Sequence, residues 1–507
     1  MARYKVIDRS PRLLPVVLSE QIHPGSFEFA LDHLVDHELD LSALDARFNN
    51  DEVGASAYDP RVMLKIVLLA YSRGLISSRS IAQACEHNIQ FIAISGDTQP
   101  SYTHIAKFVR ELGEQIKPLF TQVLLTCDRL GLIGRQMFAI DGVKLPANAS
   151  KERSGTHAEL LHRAARLDKA ANRIVSLHQS QDAQGGDQAL DAQRQERIEA
   201  LRKEAQATRD FVARAPKRIN KKGGELKTNI TDPDSAKMAT SKGVIQGYAA
   251  QAAVDSAHQI IVAAEVIGSG SEQSMLLPMV EQTGSLLNEQ TLITADAGYH
   301  SQDNLQTLQQ RHIPALIADN QMRKRDERFQ TQDKYKRLPD PLYDKRAGAA
   351  EHKIRLYRPS DFVHEPQTNS CICPAGQRLY SNGSRCQVNG REYHKFTGSQ
   401  ASCVPCSHRP QCLRYPERTA VRQVALFAKN QPRAHRATEL MKRAIDSPRG
   451  RQLYSQRIGT VEPVFANLRH NKRLSRFTLR GKAKVNTQWQ LYCLVHNIEK
   501  LAHRGCG

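Results

Sequence analysis

Two short apolar runs in this 507-residue chain are each followed at once by an aspartate that has a glycine close beside it. The first run ends at Asp141 and Gly142, and the second, over residues 291–295, ends at Asp296 with Gly298 two positions later. Short apolar runs that end at glycine-containing turns are typical of buried strands. We therefore expect both carboxylates at strand ends, where the glycines leave the backbone open.

The segments around these runs predict a mixed β-sheet with helices. The predicted elements are, in chain order, a strand over 137–141, a hairpin over 247–254 and 259–267, a helix over 272–287, a strand over 291–296, a helix over 302–310 and a strand over 313–318. The first and fourth strands lead to Asp141 and Asp296. We therefore predict an α/β core in which the two carboxylates lie on neighbouring strands.

The remaining segments predict the domain organisation. Residues 1–130 predict an all-α, helix-turn-helix-like DNA-binding domain, because short apolar helices are separated by tight polar turns. Residues 131–507 predict a catalytic domain that two insertions interrupt. Residues 151–220 are polar and Ala-rich and predict a helical hairpin or coiled coil, and residues 320–425 form a Cys-rich insertion.

Positive charge is concentrated towards the C-terminal end. The formal net charge is +20, and residues 409–507 hold 21 Lys or Arg against 5 Asp or Glu. Because this segment also predicts apolar helices, its charge favours a folded surface that faces a polyanion, while basicity that only keeps the protein soluble is the alternative. No run approaches the roughly 20 apolar residues of a membrane span, and the N-terminus lacks the apolar core of a signal peptide. These features predict a cytoplasmic protein.

A third acidic residue, Glu462, lies in this basic helical segment. Two strand Asp residues and a helical Glu can hold two divalent cations, which together cleave or join phosphodiester bonds. In this hypothesis Asp141 bridges the ions, while Asp296 and Glu462 each complete one metal site. Pro463 disfavours helical backbone at Glu462, so we expect the helix to begin near Thr460 or to be kinked.

Several motifs around these acids resemble those of DDE-type transposases of bacterial insertion sequences. The matching segments are 138–150 around the first Asp, 231–235 with 247–251 in the second-strand region, 294–300 around the second Asp, Tyr454-x2-Arg457-x4-Glu462 followed by Arg469, and the basic run from Arg476 to Gly481. Arg469 stands where related families more often carry Lys. The resemblance covers nearly the whole chain and implies an RNase H-like catalytic domain.

The resemblance also implies two kinds of functional residue. Asp141, Asp296 and Glu462 would be catalytic and would hold two Mg²⁺ or Mn²⁺ ions. DNA contacts would come from Tyr454, Arg457, Arg469, Arg476, Arg480 and Tyr299. A salt bridge from Arg469 to Glu462 and plain packing of the two tyrosines are the alternatives.

The function implied by the resemblance is cleavage of DNA at transposon ends, followed by strand transfer into target DNA. The partners would be double-stranded DNA of the inverted repeats and of the target, together with a second copy of the chain in the synaptic complex. DNA-bound protein would then be associated with the nucleoid. A metal-dependent nuclease without strand transfer and a zinc-containing DNA-binding regulator are the alternative functions.

Six of the ten cysteines lie within residues 371–412. Their spacing, Cys-x-Cys and then Cys-x2-Cys-x5-Cys, is typical of a structural zinc site with four thiolates. By resemblance the ligands would be Cys373, Cys403, Cys406 and Cys412. Cys371 is the substitute, and Cys386 and His408 are not expected to bind. Free reduced thiols in a loop-rich insertion are the alternative.

Overall fold

The computed structural model describes residues 16–47, 57–182, 188–220, 223–240, 243–330, 356–388, 391–427 and 437–504. These residues form two compact units, one from the described residues up to 320 and from 441 onward, and one from those between 321 and 440. Within the described ranges, no helix is both long enough and apolar enough to cross a bilayer.

The N-terminal part of the first unit is helical, as predicted. Its described α-helices are α1 (Phe27–His33), α2 (Ser42–Asp45), α3 (Pro60–Ser72), α4 (Ser78–His87), α5 (Ile89–Ser95), α6 (Tyr102–Glu111) and α7 (Ile116–Arg129). Asp59 caps α3 by accepting a 2.7 Å hydrogen bond from the backbone N of Arg61. Ser77 caps α4 by accepting a 3.1 Å hydrogen bond from the backbone N of Ser80. These caps satisfy backbone donors that the first helical turn leaves free.

Lys65 interrupts the apolar sequence of α3, yet the residue is only 6% exposed. Its Nζ lies 2.7 Å from Oδ1 of Asp32 and 2.7 Å from Oδ2 of Asp36. A buried ammonium is tolerated when carboxylates pair with it. This lysine therefore ties α3 to α1 and to the turn that follows α1.

The chain up to residue 320 also contributes the strands of the main sheet. The described strands are β1 (Met137–Pro146), β2 (Ser154–Gly155), β3 (Thr228–Asn229), β4 (Ala236–Thr240), β5 (Gly243–Asp255), β6 (Ile261–Ile267), β7 (Leu292–Ala295) and β8 (Ala315–Ile317). All but β2 and β3 join one sheet, in which β4 and β6 both pair with β5, and the order continues through β1 and β7 to β8. β5 is antiparallel to β1, β4 and β6, whereas β7 is parallel to β1 and β8. The predicted mixed sheet is confirmed.

Asp141 does not end its strand, contrary to the prediction. β1 continues to Pro146 because the residues after Asp141 stay paired with β5. Only the pairing with β7 stops earlier, with Ile140 opposite Ala295. Asp296, by contrast, directly follows the last residue of β7, as predicted.

Two long helices, α8 (His157–Asp182) and α9 (Gln188–Arg214), lie between β2 and β3. They pack against each other around Ala171, Ile198 and Leu201. The segment predicted to form a helical hairpin therefore contains a packed pair of helices. The turn that a hairpin requires, at 183–187, lies outside the described residues.

Two helices connect β6, β7 and β8. α10 (Leu276–Thr283) is shorter than the helix predicted over 272–287, because 3-10 turns flank it on both sides. Gly284 has a φ of +47° and ends the helix, since this backbone region favours glycine. α11 (Gln302–Gln310) has the predicted bounds, and Ser301 caps it by accepting a 3.0 Å hydrogen bond from the backbone N of Asn304.

The second unit contains a five-stranded antiparallel sheet. Its helices and strands are α12 (Met322–Arg325), α13 (Glu327–Gln330), β9 (Val363–Glu365), β10 (Ser370–Ile372), β11 (Arg378–Val388), β12 (Arg391–Thr397), α14 (Gln400–Cys403), α15 (Arg409–Cys412) and β13 (Gln423–Phe427). The strands follow one another across the sheet in chain order. The buried core of this unit consists of Phe362, Cys371, Leu379, Phe396 and Val424.

The C-terminal helices are α16 (Ala437–Asp446), α17 (Pro448–Ala466) and α18 (Lys482–His503). α18 is almost entirely buried, because it packs on α1, α3 and α7 and also on β6. Trp489 of this helix donates a 2.9 Å hydrogen bond from Nε1 to the backbone O of Gln251 in β5. The first turn of α18 is held by Asp234, whose Oδ2 accepts a 2.8 Å hydrogen bond from the backbone N of Lys482. The N-terminal helices and the sheet therefore share α18 as a common core element.

The sequence predicts a helix that begins near Thr460, but α17 begins at Pro448 in the structure. Pro448 stands in the first turn of the helix, where proline is favoured. Pro463 lies inside the helix and cannot donate a hydrogen bond to the carbonyl of Gly459. That carbonyl instead accepts a 3.2 Å hydrogen bond from Nε2 of Gln259. This replacement satisfies the freed acceptor and lets the helix continue through the proline.

Candidate active site

Asp141 and Asp296 occupy equivalent positions on two neighbouring parallel strands. The pairing of β1 with β7 ends with Ile140 opposite Ala295, and the two aspartates are the next residues of their chains. Parallel strands lie about 4.8 Å apart, and residues at the same level of such strands project from the same face of the sheet. The two carboxylates are therefore neighbours, which their separation in sequence does not reveal.

Arg457 of α17 forms an ion pair with Asp141. Its Nη1 donates a 2.8 Å hydrogen bond to Oδ2 of Asp141, and the side chains are 11% and 18% exposed. The guanidinium also lies 5.7 Å from the ring centre of Tyr454, within the range of a cation–π contact. Burial raises the pKa of Asp141, whereas Arg457 and the backbone N–H of Gly142 lower it and the charge of Asp296 raises it further. Arg457 is thus held against the first acid.

Two glycine backbone amides fix the orientation of the carboxylates. Gly142 N donates to Oδ1 of Asp141, and Gly298 N donates to Oδ1 of Asp296, each at 2.8 Å. A methyl group added to Gly298 would lie 2.9 Å from Oδ1 of Asp296, and one added to Gly142 would overlap the side-chain amide of Gln251. A side chain at either position would therefore displace the neighbouring carboxylate or amide group.

A further carboxylate near these two belongs to Glu272, a residue that no sequence motif indicated. A methyl group on Gly298 would lie 3.4 Å from Oε2 of Glu272. Burial raises the pKa of Glu272 to about 7, Lys144 opposes this rise, and the charges of Asp296 and Asp141 add to it. Its only sequence signal is that it opens the predicted helix after the hairpin, which says nothing of the distance to the acids.

Tyr299 is completely buried beside the acids, and its hydroxyl donates a hydrogen bond to Oε1 of Gln251. Burial raises its pKa well above the ordinary value, and the charges of Glu272, Asp141 and Asp296 add to this rise. A side chain without exposed surface cannot contact DNA in this conformation. The structure therefore agrees with the packing alternative for Tyr299 and not with the predicted DNA contact.

Glu462 lies five residues after Arg457 on α17, and its side chain is exposed. Five residues correspond to a turn of roughly 140° around the helix axis, so these two side chains do not share a face. Among the described residues, Glu462 makes no hydrogen bond or ion pair. Arg469 follows in a π-helical segment, Asn467–Asn471, beyond the end of α17. The described ion pairs do not include one between Arg469 and Glu462.

The basic run near the C-terminus lies against the loop that follows β1. Arg476 donates from Nη2 to the backbone O of Ala147 at 3.2 Å, and Arg480 donates from Nε to the backbone O of Asn148 at 2.8 Å. Both arginines are exposed. The segment around the first acid and the basic run thus form one positively charged surface.

The acids near the sheet do not form a closed metal cage. Across the described part of the chain, no three His, Cys, Asp or Glu side chains lie close enough together to hold a metal ion. Mg²⁺ does not require such a cage, because one or two carboxylates and substrate phosphates usually bind it. The paired carboxylates of Asp141 and Asp296 are hard oxygen donors and fit this mode of binding.

Four cysteines of the second unit line one cavity of about 30 Å³, namely Cys373, Cys403, Cys406 and Cys412. Burial raises the pKa of Cys412, Arg422 opposes this, and the charges of the other three thiols add to the rise. His408 lines the same cavity. Cys371 packs instead into the apolar core of the unit, and the side chain of Cys386 lies outside the described residues.

Two family models match the chain. One, described as a transposase domain (DUF772), matches residues 16–111, and the other, described as a transposase DDE domain, matches residues 372–502. Both matches are to transposase domains, and together they support a DDE-type transposase of an insertion sequence. None of the curated proteins compared with this transposase gives a match.

The two matches cover different parts of the transposase. The N-terminal match includes α1 to α6, and the C-terminal match includes α17 with Glu462 and most of α18. Asp141 and Asp296 lie between the matched ranges, so their pairing is known from the fold alone. DDE-type transposases generally depend on divalent metal ions.

Proposed function

We propose that the transposase cleaves DNA at the ends of its own insertion sequence and joins the freed ends to target DNA. The observation that carries this proposal is the adjacent position of Asp141 and Asp296 on parallel strands, with the cation of Arg457 against the first acid. In the six-stranded core sheet, β5 is antiparallel to β4, β6 and β1, and β1 continues into the parallel strands β7 and β8. This order supports an RNase H-like catalytic core, which we propose as the fold.

Asp141, Asp296 and Glu462 would hold two Mg²⁺ or Mn²⁺ ions. Two such ions, when bound, neutralise charge on the attacked phosphate and stabilise the attacking and leaving oxygens. Asp141 and Asp296 are ready for this role, because backbone N–H groups hold one oxygen of each. Glu462 would join them from α17, where its exposed side chain is accessible to a metal ion and to DNA.

Arg457 would act on both an acid and the DNA. Its Nη1 is bound to Asp141, which lowers the pKa of that carboxyl against the effect of burial and fixes its position. Its Nε is buried and has no hydrogen-bond partner among the described residues. A phosphate oxygen is a suitable acceptor for this donor, because guanidinium groups bind phosphate through several N–H groups at once.

One active site would serve both chemical steps. In the first, a water oxygen attacks the phosphate at the transposon end and the 3′-oxygen leaves as a hydroxyl. In the second, this hydroxyl attacks a phosphate of the target DNA and displaces the 3′-oxygen of the target strand, which leaves as a hydroxyl. Water and a 3′-hydroxyl are equivalent nucleophiles in such an in-line displacement. Two transposon ends must be held together for this, so we propose a homodimer in the synaptic complex and association with the nucleoid when DNA is bound.

The N-terminal helices would bind the transposon ends through a basic groove. α4 and α6 line a groove of about 650 Å³ with Ser77, Ser78, Arg79, Tyr102, Thr103, Ala106, Lys107 and Arg110. None of these lining residues is acidic. Arg79 lies 5.3 Å from the ring centre of Tyr102, which supports the position of its guanidinium. Cationic and hydroxyl groups of this kind contact DNA phosphates, so we propose residues 1–130 as the DNA-binding domain.

The Cys-rich insertion would hold a structural zinc ion. Four thiolates are the donor set of a closed, tetrahedral zinc site, and the four cysteines that line one small cavity would have to draw closer together to form it, because no three of them lie close enough in the described structure. The backbone N of Gln377 donates a 3.3 Å hydrogen bond to Sγ of Cys373, and such bonds orient metal ligands. Metal analysis of the purified protein tests this proposal. We expect one zinc ion per chain, lost in Cys412→Ser and retained in Cys371→Ala, and zinc-free wild-type protein would exclude it.

DNA cleavage in Mg²⁺ tests the catalytic proposal. The substrate is a duplex that carries the inverted repeats of the element, and the proteins are wild type, Asp141→Asn, Asp296→Asn and Glu462→Gln. We expect each of the three substitutions to abolish cleavage while DNA binding remains. Glu281→Gln serves as the control. Glu281 is exposed, and its Oε1 lies 2.8 Å from Nη1 of Arg311, with which it forms an ion pair. Full cleavage by Asp141→Asn would exclude the proposal.

The two alternative functions differ from this proposal in the products that they predict. A nuclease without strand transfer would release cleaved ends but would not join labelled transposon DNA to a plasmid. A zinc-containing regulator would bind the ends without cleaving them. A joining assay with labelled ends and a supercoiled plasmid therefore separates all three.

A further inference from the structure

Glu272 approaches the acids from the segment between β6 and α10. Its side chain is half-buried and lies just before the 3-10 turn Gln273–Met275. A methyl group on Gly298 would lie 2.9 Å from Oδ1 of Asp296 and 3.4 Å from Oε2 of Glu272. The two carboxylate oxygens therefore border one small space, which Gly298 leaves open.

The charge around this space is strongly negative. The charges that act on Glu272 are those of Asp296 and Asp141 and the single cation of Lys144. Carboxylates that share a partly buried position repel one another unless a cation joins them. A glutamate at the start of a surface turn could remain in water, so stability of the fold gives no reason for this arrangement.

Gln251 gives an independent indication that an oxygen-containing ligand belongs in this pocket. It is completely buried, and its Oε1 accepts a hydrogen bond from the hydroxyl of Tyr299. Its Nε2 lies against Gly142, next to Asp141, and approaches the carboxylate of Glu272, whose pKa it lowers, but it makes no hydrogen bond of good geometry among the described residues. Buried N–H groups are rarely left unpaired. A phosphate oxygen of DNA would satisfy this donor, and a divalent cation would balance the carboxylates.

We infer that Glu272 is a further metal-binding residue of the active site and that, together with Asp296, it binds a divalent cation that carries a DNA phosphate. Mg²⁺ and Mn²⁺ prefer such carboxylate oxygens and complete their coordination with phosphate and water. The inference rests on the proposed function, which makes this pocket the phosphate site. The competing explanation is that Glu272 serves only as a counter-charge for Lys144.

Binding of Mn²⁺ alone to the full-length protein, measured by calorimetry, tests the inference. The proteins are wild type, Glu272→Gln and, as a matched control on the neighbouring helix, Glu281→Gln. We expect Glu272→Gln to weaken Mn²⁺ affinity by about tenfold or more, because ligand loss has effects of at least this size. Glu281→Gln should bind like wild type. Unchanged affinity in Glu272→Gln, or wild-type protein that binds no Mn²⁺, overturns the inference.

Gly298→Ala provides a second variant that leaves every carboxylate in the protein. Its methyl group would fill the space between Asp296 and Glu272, so we expect Mn²⁺ affinity to fall while circular dichroism and the melting temperature show a folded protein. If Glu272→Gln does not fold, this variant decides, and unchanged affinity again overturns the inference.

The outcome separates this inference from the proposed function. If Asp141→Asn and Asp296→Asn cleave DNA normally, the proposed function fails. If Asp141→Asn and Asp296→Asn do not cleave DNA while Glu272→Gln binds Mn²⁺ normally, only the inference about Glu272 fails. This holds even when the Glu272→Gln variant cleaves DNA slowly. Reduced Mn²⁺ binding and reduced cleavage together in Glu272→Gln support both.

Discussion

Arg457 and Asp141 are joined by a 2.8 Å hydrogen bond although 316 positions separate them in the chain. Burial lowers the pKa of Arg457, but the charges of Asp141, Tyr454 and Asp296 and the hydrogen bond to Asp141 together outweigh burial, so that the net direction is upward. The two charges therefore stabilise each other in a pocket that water hardly reaches. Arg457, on a helix from the far end of the chain, thus favours the ionised form of Asp141 against the effect of burial.

Removal of one partner of this pair should destabilise the protein strongly. We predict that Arg457→Met lowers the free energy of unfolding by about 3 kcal/mol, because it leaves a mostly buried carboxylate without its cation. Combined with Asp141→Asn, it should show a coupling energy of about 1–3 kcal/mol in urea denaturation. The exposed pair of Arg311 and Glu281 is the control, with an expected coupling below about 1 kcal/mol. Equal coupling in the two pairs would contradict this prediction.

Pro463 should limit the stability of α17 next to Glu462. We predict that Pro463→Ala raises the free energy of unfolding by about 1–3 kcal/mol, because alanine removes the clash of the proline ring with the preceding helical turn. The relaxed turn should also reposition Glu462 and slow DNA cleavage. Pro448→Ala is the control, since proline at the first helical position lacks no intrahelical bond. Urea denaturation and the cleavage assay measure the two effects, and a stabilised variant that cleaves normally would refute the positional role.

The basic groove between α4 and α6 should contribute phosphate contacts and no sequence recognition. We predict that Lys107→Ala weakens binding to all duplexes alike and reduces the slope of log affinity against log salt by about 0.9, the value for one lost phosphate contact. Lys117→Ala is the control, because Lys117 is exposed on α7 and pairs with Glu114 at 2.5 Å. Fluorescence anisotropy at several salt concentrations measures the slopes. An unchanged slope in Lys107→Ala would exclude DNA contact at this groove.

The acidic pair was predictable because its signal is local. Short apolar runs before Asp141 and Asp296 indicate strands, and the order of the intervening elements indicates a mixed sheet in which the two strands are neighbours. Glu272 was not predictable, because its approach depends on the path of the chain after β6 and not on any spacing. The helix through Pro463 was missed for a similar reason, since its missing donor is compensated by Gln259, far away in sequence.

His496 should make the protein sensitive to acid. Burial lowers its pKa to about 3, although the backbone O of Gln259 favours the protonated ring. Nε2 of His496 lies 2.9 Å from that oxygen, and Nδ1 lies 3.0 Å from Nδ2 of Asn467. A neutral ring fits both contacts, because Nε2 donates and Nδ1 accepts. A second ring proton, on Nδ1, would face the Asn467 donor. The ordinary histidine pKa is about 6.5, so between about pH 6.5 and pH 3 the unfolded chain binds a proton that the folded chain does not.

We therefore predict that the free energy of unfolding falls with decreasing pH in this window, by up to about 1.4 kcal/mol per pH unit from His496 alone, and that this histidine has no such effect above the window. His496→Gln should be less stable than wild type at about pH 8, where its packing is lost, but should lose stability less steeply towards about pH 5. His87→Gln, at an exposed position, should keep the wild-type slope. Urea denaturation across this pH range measures the slopes, and parallel curves for His496→Gln and wild type would show that another group causes the acid sensitivity.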